Sequence, residues 1–242
     1  SGSDLVDILT SIDDDNILKE INIPKGSMQL VDEKSSALIE KELENYESSM
    51  APGGSAANTI HALAKMGIES GFISYVGKDE IGKFFEDSMN SVGVKPLMFH
   101  SDTASGTART IISADGERTF ATNLGASVEL NENVITPELF KNWDYCYLEG
   151  YLIANKNLFK KVIHTAKECG CKVILDLASY NVVEDNREFL NELLPNINII
   201  FANEEEAKAL TNDSAEASLE YIAQHTDIAV VKIGKRGSLI KR

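Results

Sequence analysis

Gly53 and Gly54 head the run Ala51-Pro-Gly-Gly-Ser-Ala-Ala-Asn-Thr-Ile-His-Ala-Leu-Ala-Lys-Met-Gly67. Without side chains they leave backbone amides uncovered and let a small polyhydroxylated ligand come against the main chain. Asn58, one helical turn further on, adds an amide that both donates and accepts. The chemistry on offer is the gripping of hydroxyl groups, although Gly-Gly taken alone also reads as a tight turn without a ligand. Asp7, among Leu5, Val6, Ile8 and Leu9, is a carboxylate in an apolar run, and such a group persists where something pairs with it. Its structural alternative is to cap the next turn. Further candidates follow other apolar runs: Glu149, Asp176, Asn203, Glu206, Lys232 and Gly234. In open α/β sheets ligands bind beyond the carboxyl ends of the strands, so residues in these places are candidates. Each taken singly also suits helix capping or a solvated face.

The elements that must hold these residues alternate. Ser55 is placed to cap an amphipathic helix whose apolar positions are Ile60, Leu63, Ala64 and Met66, ended by Gly67. Gly71 to Val76 reads as a strand and Asp79 to Val92 as a helix stopped by Gly93; Thr136-Pro137 has the cap-then-proline order of a helix start. Strands follow at 145–150, 172–177, 198–202 and 228–233, with helices over 157–169, 185–194, 204–210 and 215–224 between them. Strand–helix alternation predicts a parallel sheet wrapped on both faces. Two β-rich stretches, about 22–32 and 94–125, interrupt it; the second carries a hairpin with Ala114-Asp-Gly-Glu117 at its turn. Together they predict a small sheet beside the main one. The opening Ser1-Gly2-Ser3 reads as a tag remnant.

Composition narrows the class. With 242 residues and 43% hydrophobic content, the chain can bury a substantial core as one domain. A net charge of -15 argues against nucleic-acid and anionic-membrane partners, whose phosphates are held chiefly by Lys and Arg. No run approaches a membrane span and no signal segment opens the chain, so the cytoplasm is the expected compartment. Cys146, Cys169 and Cys171 lack CxxC spacing and read as buried or idle thiols. His61, His100, His164 and His225 share no motif, and Asp13-Asp-Asp15 lacks the spaced ligands of a calcium loop. No GxGxxG follows a strand, which argues against a dinucleotide-binding oxidoreductase.

Four blocks in order, Gly53-Gly-Ser-Ala-Ala-Asn58, Ala64-Lys-Met-Gly67, Tyr75-Val-Gly-Lys-Asp-Glu-Ile-Gly82 and Ser91-Val-Gly-Val94, resemble the N-terminal signature of the ribokinase-like (PfkB) sugar and nucleoside kinases. The resemblance implies a ribokinase-like α/β fold, a parallel-sheet three-layer sandwich with a small β-sheet lid. It implies ATP and Mg2+ as cofactors, a small sugar or nucleoside as partner, and dimerisation through the lid. It places Asp7, Gly53, Gly54, Asn58 and Glu149 at substrate hydroxyls. Asn203, Lys232, Gly234 and Gly237 fall at the nucleotide and its phosphates, and Glu206 of the Asn203-Glu-Glu-Glu206 element fits a magnesium site reached through water. Asn203 equally suits a helix cap with acidic residues behind it. Arg109 and Arg118 fall in the lid, either as surface charges or closing over a phosphate. Lys232 departs from the Thr common at its place. Gly26 to Leu30, Ala108 to Asn123 and Leu148-Glu-Gly-Tyr-Leu152 look most like the adenosine-kinase-type branch. Residues 173–179 lack the Asp-Pro-Asn of many ketose kinases. The family's DTxGAGD segment, whose last Asp deprotonates the accepting hydroxyl, does not occur in residues 1–242 and is expected beyond Arg242. Residues 1–242 thus read as one domain shortened at both ends.

Overall fold

The computed structural model describes residues 5–242, so the tag reading of Ser1-Gly2-Ser3 lies outside the described residues, as does Asp4. The chain forms two compact units, one up to Leu130 and one from Asn131.

The first unit runs β1 (Leu5–Ser11), α1 (Asn16–Glu20), β2 (Met28–Leu30), α2 (Glu33–Glu42), β3 (Ser48–Gly53), α3 (Ser55–Lys65), β4 (Ser70–Gly77), α4 (Glu80–Ser91), β5 (Val94–Ser101), β6 (Thr107–Ile112) and β7 (Arg118–Asn123). Five strands make one sheet in the order β2-β7-β6-β1-β3. The predicted hairpin is its centre: β6 and β7 pair antiparallel from Thr107↔Asn123 to Ile112↔Arg118, and Gly116 takes the left-handed φ of +85° in the turn. Side chains alternate across the sheet, and one face is covered. Ile111 and Ala121 pack there with Ile17, Leu18 and Ile21 of α1 and Ile39 and Leu43 beside or within α2. Asp32 starts α2 by accepting from the Ser35 amide.

The β-rich stretch from Val94 divides. Only its hairpin joins the five-stranded sheet; β5 pairs in parallel with β4, from Ser70↔Val94 to Gly77↔Ser101, in a two-stranded sheet of their own. The intervening α4 is the crossover that parallel pairing requires. In α3 the N-cap is Gly54 at φ +86°, and Ser55 is already helical. Its buried residues are Ala56, Ala57 and Ile60, whereas Met66 is 69% exposed, because the helix has turned that side to solvent.

The second unit runs β8 (Tyr145–Glu149), α5 (Lys156–Glu168), β9 (Lys172–Asp176), α6 (Tyr180–Asp185), α7 (Arg187–Leu193), β10 (Ile199–Asn203), α8 (Glu204–Thr211), α9 (Ala215–Ala223), β11 (Ile228–Lys232) and β12 (Ser238–Lys241). The sheet order is β12-β11-β10-β9-β8, with β8 to β11 parallel and β12 antiparallel at the edge. Leu158, Phe159, Val162, Ile163 and Ala166 form the buried stripe of α5, which packs on β9. The helix predicted at Thr136-Pro137 is only a 3-10 turn, Pro137–Leu139; Asn142, at φ +71°, ends it within two turns.

Candidate functional site

In the first unit the open face of the five-stranded sheet carries Asp7. Register sets Asp7 beside Ala108 and Ala51, with Thr122 and Leu30 further along that row. The next row holds Leu9, Thr110, Phe120 and Met28. Asp7 is the third residue of β1, not a residue following a strand, and Gly53 lies across from Leu5 at the end of β3. A β-carbon placed on Gly53 would stand 2.3 Å from the Asp7 carboxylate oxygen Oδ1. Glycine is therefore required for the carboxylate to lie against the loop. Among the described residues Asp7 has no hydrogen-bond or ion-pair partner, and burial pushes its carboxyl above the ordinary range. Asn58 lies exposed in the first turn of α3, its own amide bonded to the Gly54 carbonyl at 2.9 Å. The structure thus brings Asp7, Gly53 and Gly54 together, with Asn58 one turn on.

Arg109 does not face this side. It is 8% exposed, lies on the covered face in line with Ile8 and Ala121, and reaches Glu40 of α2 at 3.3 Å. The reading that it closes over a phosphate is replaced by an ion pair from the buried guanidinium to the exposed Glu40 carboxylate, because alternation along β6 turns Arg109 to the covered face. A groove of about 510 Å3 between α1, β2 and α2 includes none of Asp7, Gly53, Gly54 and Asn58 in its lining.

In the second unit the polar candidates stand at the carboxyl ends of adjacent parallel strands. Glu149 ends β8 level with Asp176, which ends β9; Asn203 ends β10 level with Lys232, which ends β11. Glu149 is 6% exposed and accepts from the Tyr147 hydroxyl at 3.3 Å. Lys232 Nζ reaches Asp176 Oδ2 at 3.2 Å. Asn203 and Glu206 form a reciprocal capping box: Asn203 Oδ1 accepts from the Glu206 amide, and Glu206 accepts from the Asn203 amide and Nδ2, each at 2.8 Å. Burial is the main influence on Glu206 and Asp176 adds to it, so its carboxyl is raised despite the hydrogen bond from the Asn203 backbone. The phenol of Tyr151 is raised by burial and then by Glu149, Glu206 and Asp176. This rim is therefore negative, and a polyphosphate would need a cation there beyond Lys232. Both Glu206 oxygens already accept from Asn203, which suits contact with a hydrated metal ion better than direct ligation. Among the described residues no group of three or more His, Cys, Asp and Glu side chains is arranged to hold a metal. Gly234 (φ +59°) and Gly237 (φ +95°) shape the turn before β12, with open space where β-carbons would stand. That leaves room for a ligand against the backbone.

The profile described as "pfkB family carbohydrate kinase" matches residues 27–242. The chain belongs to the pfkB family of carbohydrate kinases. Its fold is the ribokinase-like α/β fold: a solved structure of adenosine kinase from Sinorhizobium meliloti superimposes with a TM-score of 0.80 at 28% identity, covering 100% of this chain and 75% of that one. Adenosine kinase of Saccharomyces cerevisiae is 28% identical over 243 residues, covering 92% of this chain and 69% of its own length. Ribokinase of Haemophilus influenzae is 26% identical over 208 residues, and the match spans 65% of its length. These likenesses support the adenosine-kinase-type branch of the pfkB family.

Two features of this pfkB chain had no sequence signal. Gly150 sits so close to Leu177 that a β-carbon would stand 2.3 Å from its carbonyl oxygen. Ala178 adopts φ +67°, closed by a hydrogen bond from the Ser179 amide to the Leu177 carbonyl at 2.8 Å. Asp176 Oδ1 accepts from the Ala178 amide at 3.0 Å and steadies this turn just past the end of β9. An alanine in left-handed backbone costs about 1–2 kcal/mol, and nothing in its side chain announces it.

Proposed function

We propose that this chain serves ATP-dependent phosphorylation of a primary hydroxyl on an adenosine-like nucleoside, in preference to ribose or fructose. The observation that carries the reading is the open face of the five-stranded sheet. There a half-buried carboxylate, Asp7, lies against Gly53, with Leu9, Phe120, Leu30 and Met28 on the same face. A free sugar needs hydroxyl partners on every side, whereas a nucleoside needs a carboxylate for its ribose and an apolar wall for its base. Asp7, Gly53, Gly54 and Asn58 are assigned to substrate hydroxyls, and Glu149 is assigned a hydroxyl as well.

Asn203, Lys232, Gly234 and Gly237 are assigned to ATP and its phosphates, with Glu206 orienting water on a magnesium ion. Bound magnesium neutralises phosphate charge, which the carboxylate-rich rim of the second unit otherwise repels. Lys232 supplies a point charge to a phosphate oxygen, and the turn glycines admit the nucleotide to the backbone. A cytoplasmic setting, small-molecule partners and self-association through the lid sheet complete the reading.

A second reading is a nucleoside- or sugar-binding module without turnover, supported by the same Asp7–Gly53 contact. Calorimetry of the chain with adenosine, guanosine, ribose and fructose, run beside an ATP-consumption assay with magnesium, separates the two. Adenosine binding with ATP consumption supports the kinase, and binding alone supports the module or a catalytically incomplete fragment. Tighter binding of ribose or fructose than of adenosine overturns the nucleoside assignment, and no binding of any of them overturns both readings.

A further inference from the structure

The block Tyr75-Val-Gly-Lys-Asp-Glu-Ile-Gly82 has no place in the site so far, yet it is tied to Ser105 and within itself by four hydrogen bonds. Asp79 Oδ1 accepts from the Gly82 amide at 2.8 Å and the Ser105 hydroxyl at 2.7 Å, while Oδ2 accepts from the Ser105 amide at 2.8 Å. Ser105 Oγ accepts in turn from the Gly77 amide at 2.9 Å. The node has no slack. β-Carbons on Gly77 and Gly82 would stand 2.6 Å from the Ser105 nitrogen and 2.3 Å from the Gly77 oxygen. Gly125, at φ +49°, presses on the same loop, where a β-carbon would meet the Ala104 oxygen at 2.3 Å.

The roots of the five-stranded sheet meet at this node. Ser105 and Gly106 lead into β6, and the Ala126 amide just past β7 donates to the Ala104 carbonyl at 2.8 Å. The Val6 amide in β1 donates to the Gly106 carbonyl at 3.1 Å. From the Asp79 carboxylate the links run to Ser105, to the adjoining Gly106, to Val6, and so to Asp7. Capping α4 needs only the Gly82 bond; the two bonds to Ser105 are in addition to it. Burial works to raise the Asp79 carboxyl, and the bonds from Ser105 and Gly82 outweigh it and hold the group below its ordinary range.

We propose that Asp79 is a positioning residue that sets the place of the Asp7 carboxylate through Ser105, Gly106 and Val6. It touches no ligand itself. The inference rests on the reading of Asp7 as a substrate-binding group. Asp79→Asn keeps the shape but turns a donor toward the Ser105 amide, whereas Ser105→Ala removes only the hydroxyl links. With equal folded fractions verified by circular dichroism, Asp79→Asn is expected to weaken adenosine binding about tenfold, the worth of one charged hydrogen bond. Mg-ADP binding is expected to stay within about twofold, Ser105→Ala to fall between Asp79→Asn and wild type, and Asp79→Asn/Ser105→Ala to match Asp79→Asn alone. A purely structural role would weaken both ligands together. That outcome, or unchanged adenosine binding, overturns the proposal, and Ser105→Ala decides if Asp79→Asn does not fold. Should wild type bind no nucleoside, the substrate reading falls. The positioning link is then read by hydrogen exchange: faster exchange at the Val6 amide in the variants, with β9–β11 unchanged, supports it, and unchanged Val6 exchange overturns it.

Discussion

Asp7 keeps an ionisable group where ionisation is penalised. Burial raises its carboxyl, so the charged form costs stability at every pH above the raised value, and the cost fades as pH falls through it toward the ordinary 3.8. Asp7→Asn should therefore melt higher than wild type near pH 7, with the gap closing below about pH 4, while adenosine binding is lost; melting curves across pH beside calorimetry check both signs. Gly53→Ala should also lose adenosine, because its methyl would occupy the place of the Asp7 carboxylate. Ala178→Gly relieves left-handed strain and should raise stability by about 1 kcal/mol in denaturant unfolding. Asp7 and Gly53 were legible as residue types suited to hydroxyls. Their contact was not, since it depends on β1 and β3 pairing at one register. Arg109 shows the opposite case: its charge was legible, but the face it occupies was set by alternation along β6.

At the scale of elements, the capping signals divide: Gly54 takes the N-cap place expected of Ser55, and Thr136 makes no side-chain cap bond. Asn203 and Glu206 form both halves of a capping box, and Asp79 accepts from the Gly82 amide at the start of α4. Asn203→Ala should cost about 1 kcal/mol of stability and, on the proposed role, also weaken Mg-ATP binding; calorimetry beside unfolding separates the two effects. Ile39 of α2 is buried under the sheet, and Ile39→Ala should cost about 2–5 kcal/mol by the cavity it leaves. The elements the sequence did not announce include β1, α1, α2, β3 and α6. α1 is short, α2 is mostly exposed with Ile39 its one buried residue, and β3 is a strand read as loop because Pro52 and Gly53 sit within it. Pro52 is tolerated there because β3 is the sheet's edge strand.

Across the whole chain, charge and surface set further expectations. The net charge of -15 predicts no retention of duplex DNA at physiological salt, checked by mobility shift. No described helix is long and apolar enough to cross a membrane. Met28 and Leu30, 77% and 75% exposed on the edge strand β2, leave apolar surface beside unpaired backbone on the five-stranded sheet. Sedimentation velocity at micromolar concentration should therefore show a dimer, and a monomer at every concentration would exclude self-association through that edge. By itself the sequence determined most of the strand–helix alternation, the Asn203 cap, the glycine loop and the resemblance to pfkB kinases, because each is a matter of local residue type and spacing. Only the tertiary structure decided that β5 leaves the hairpin's sheet for β4, that Asp7 lies on Gly53, and that Asp79 is tied to Ser105. Those depend on strand register and on close backbone approach between segments far apart in the chain, which no local pattern specifies.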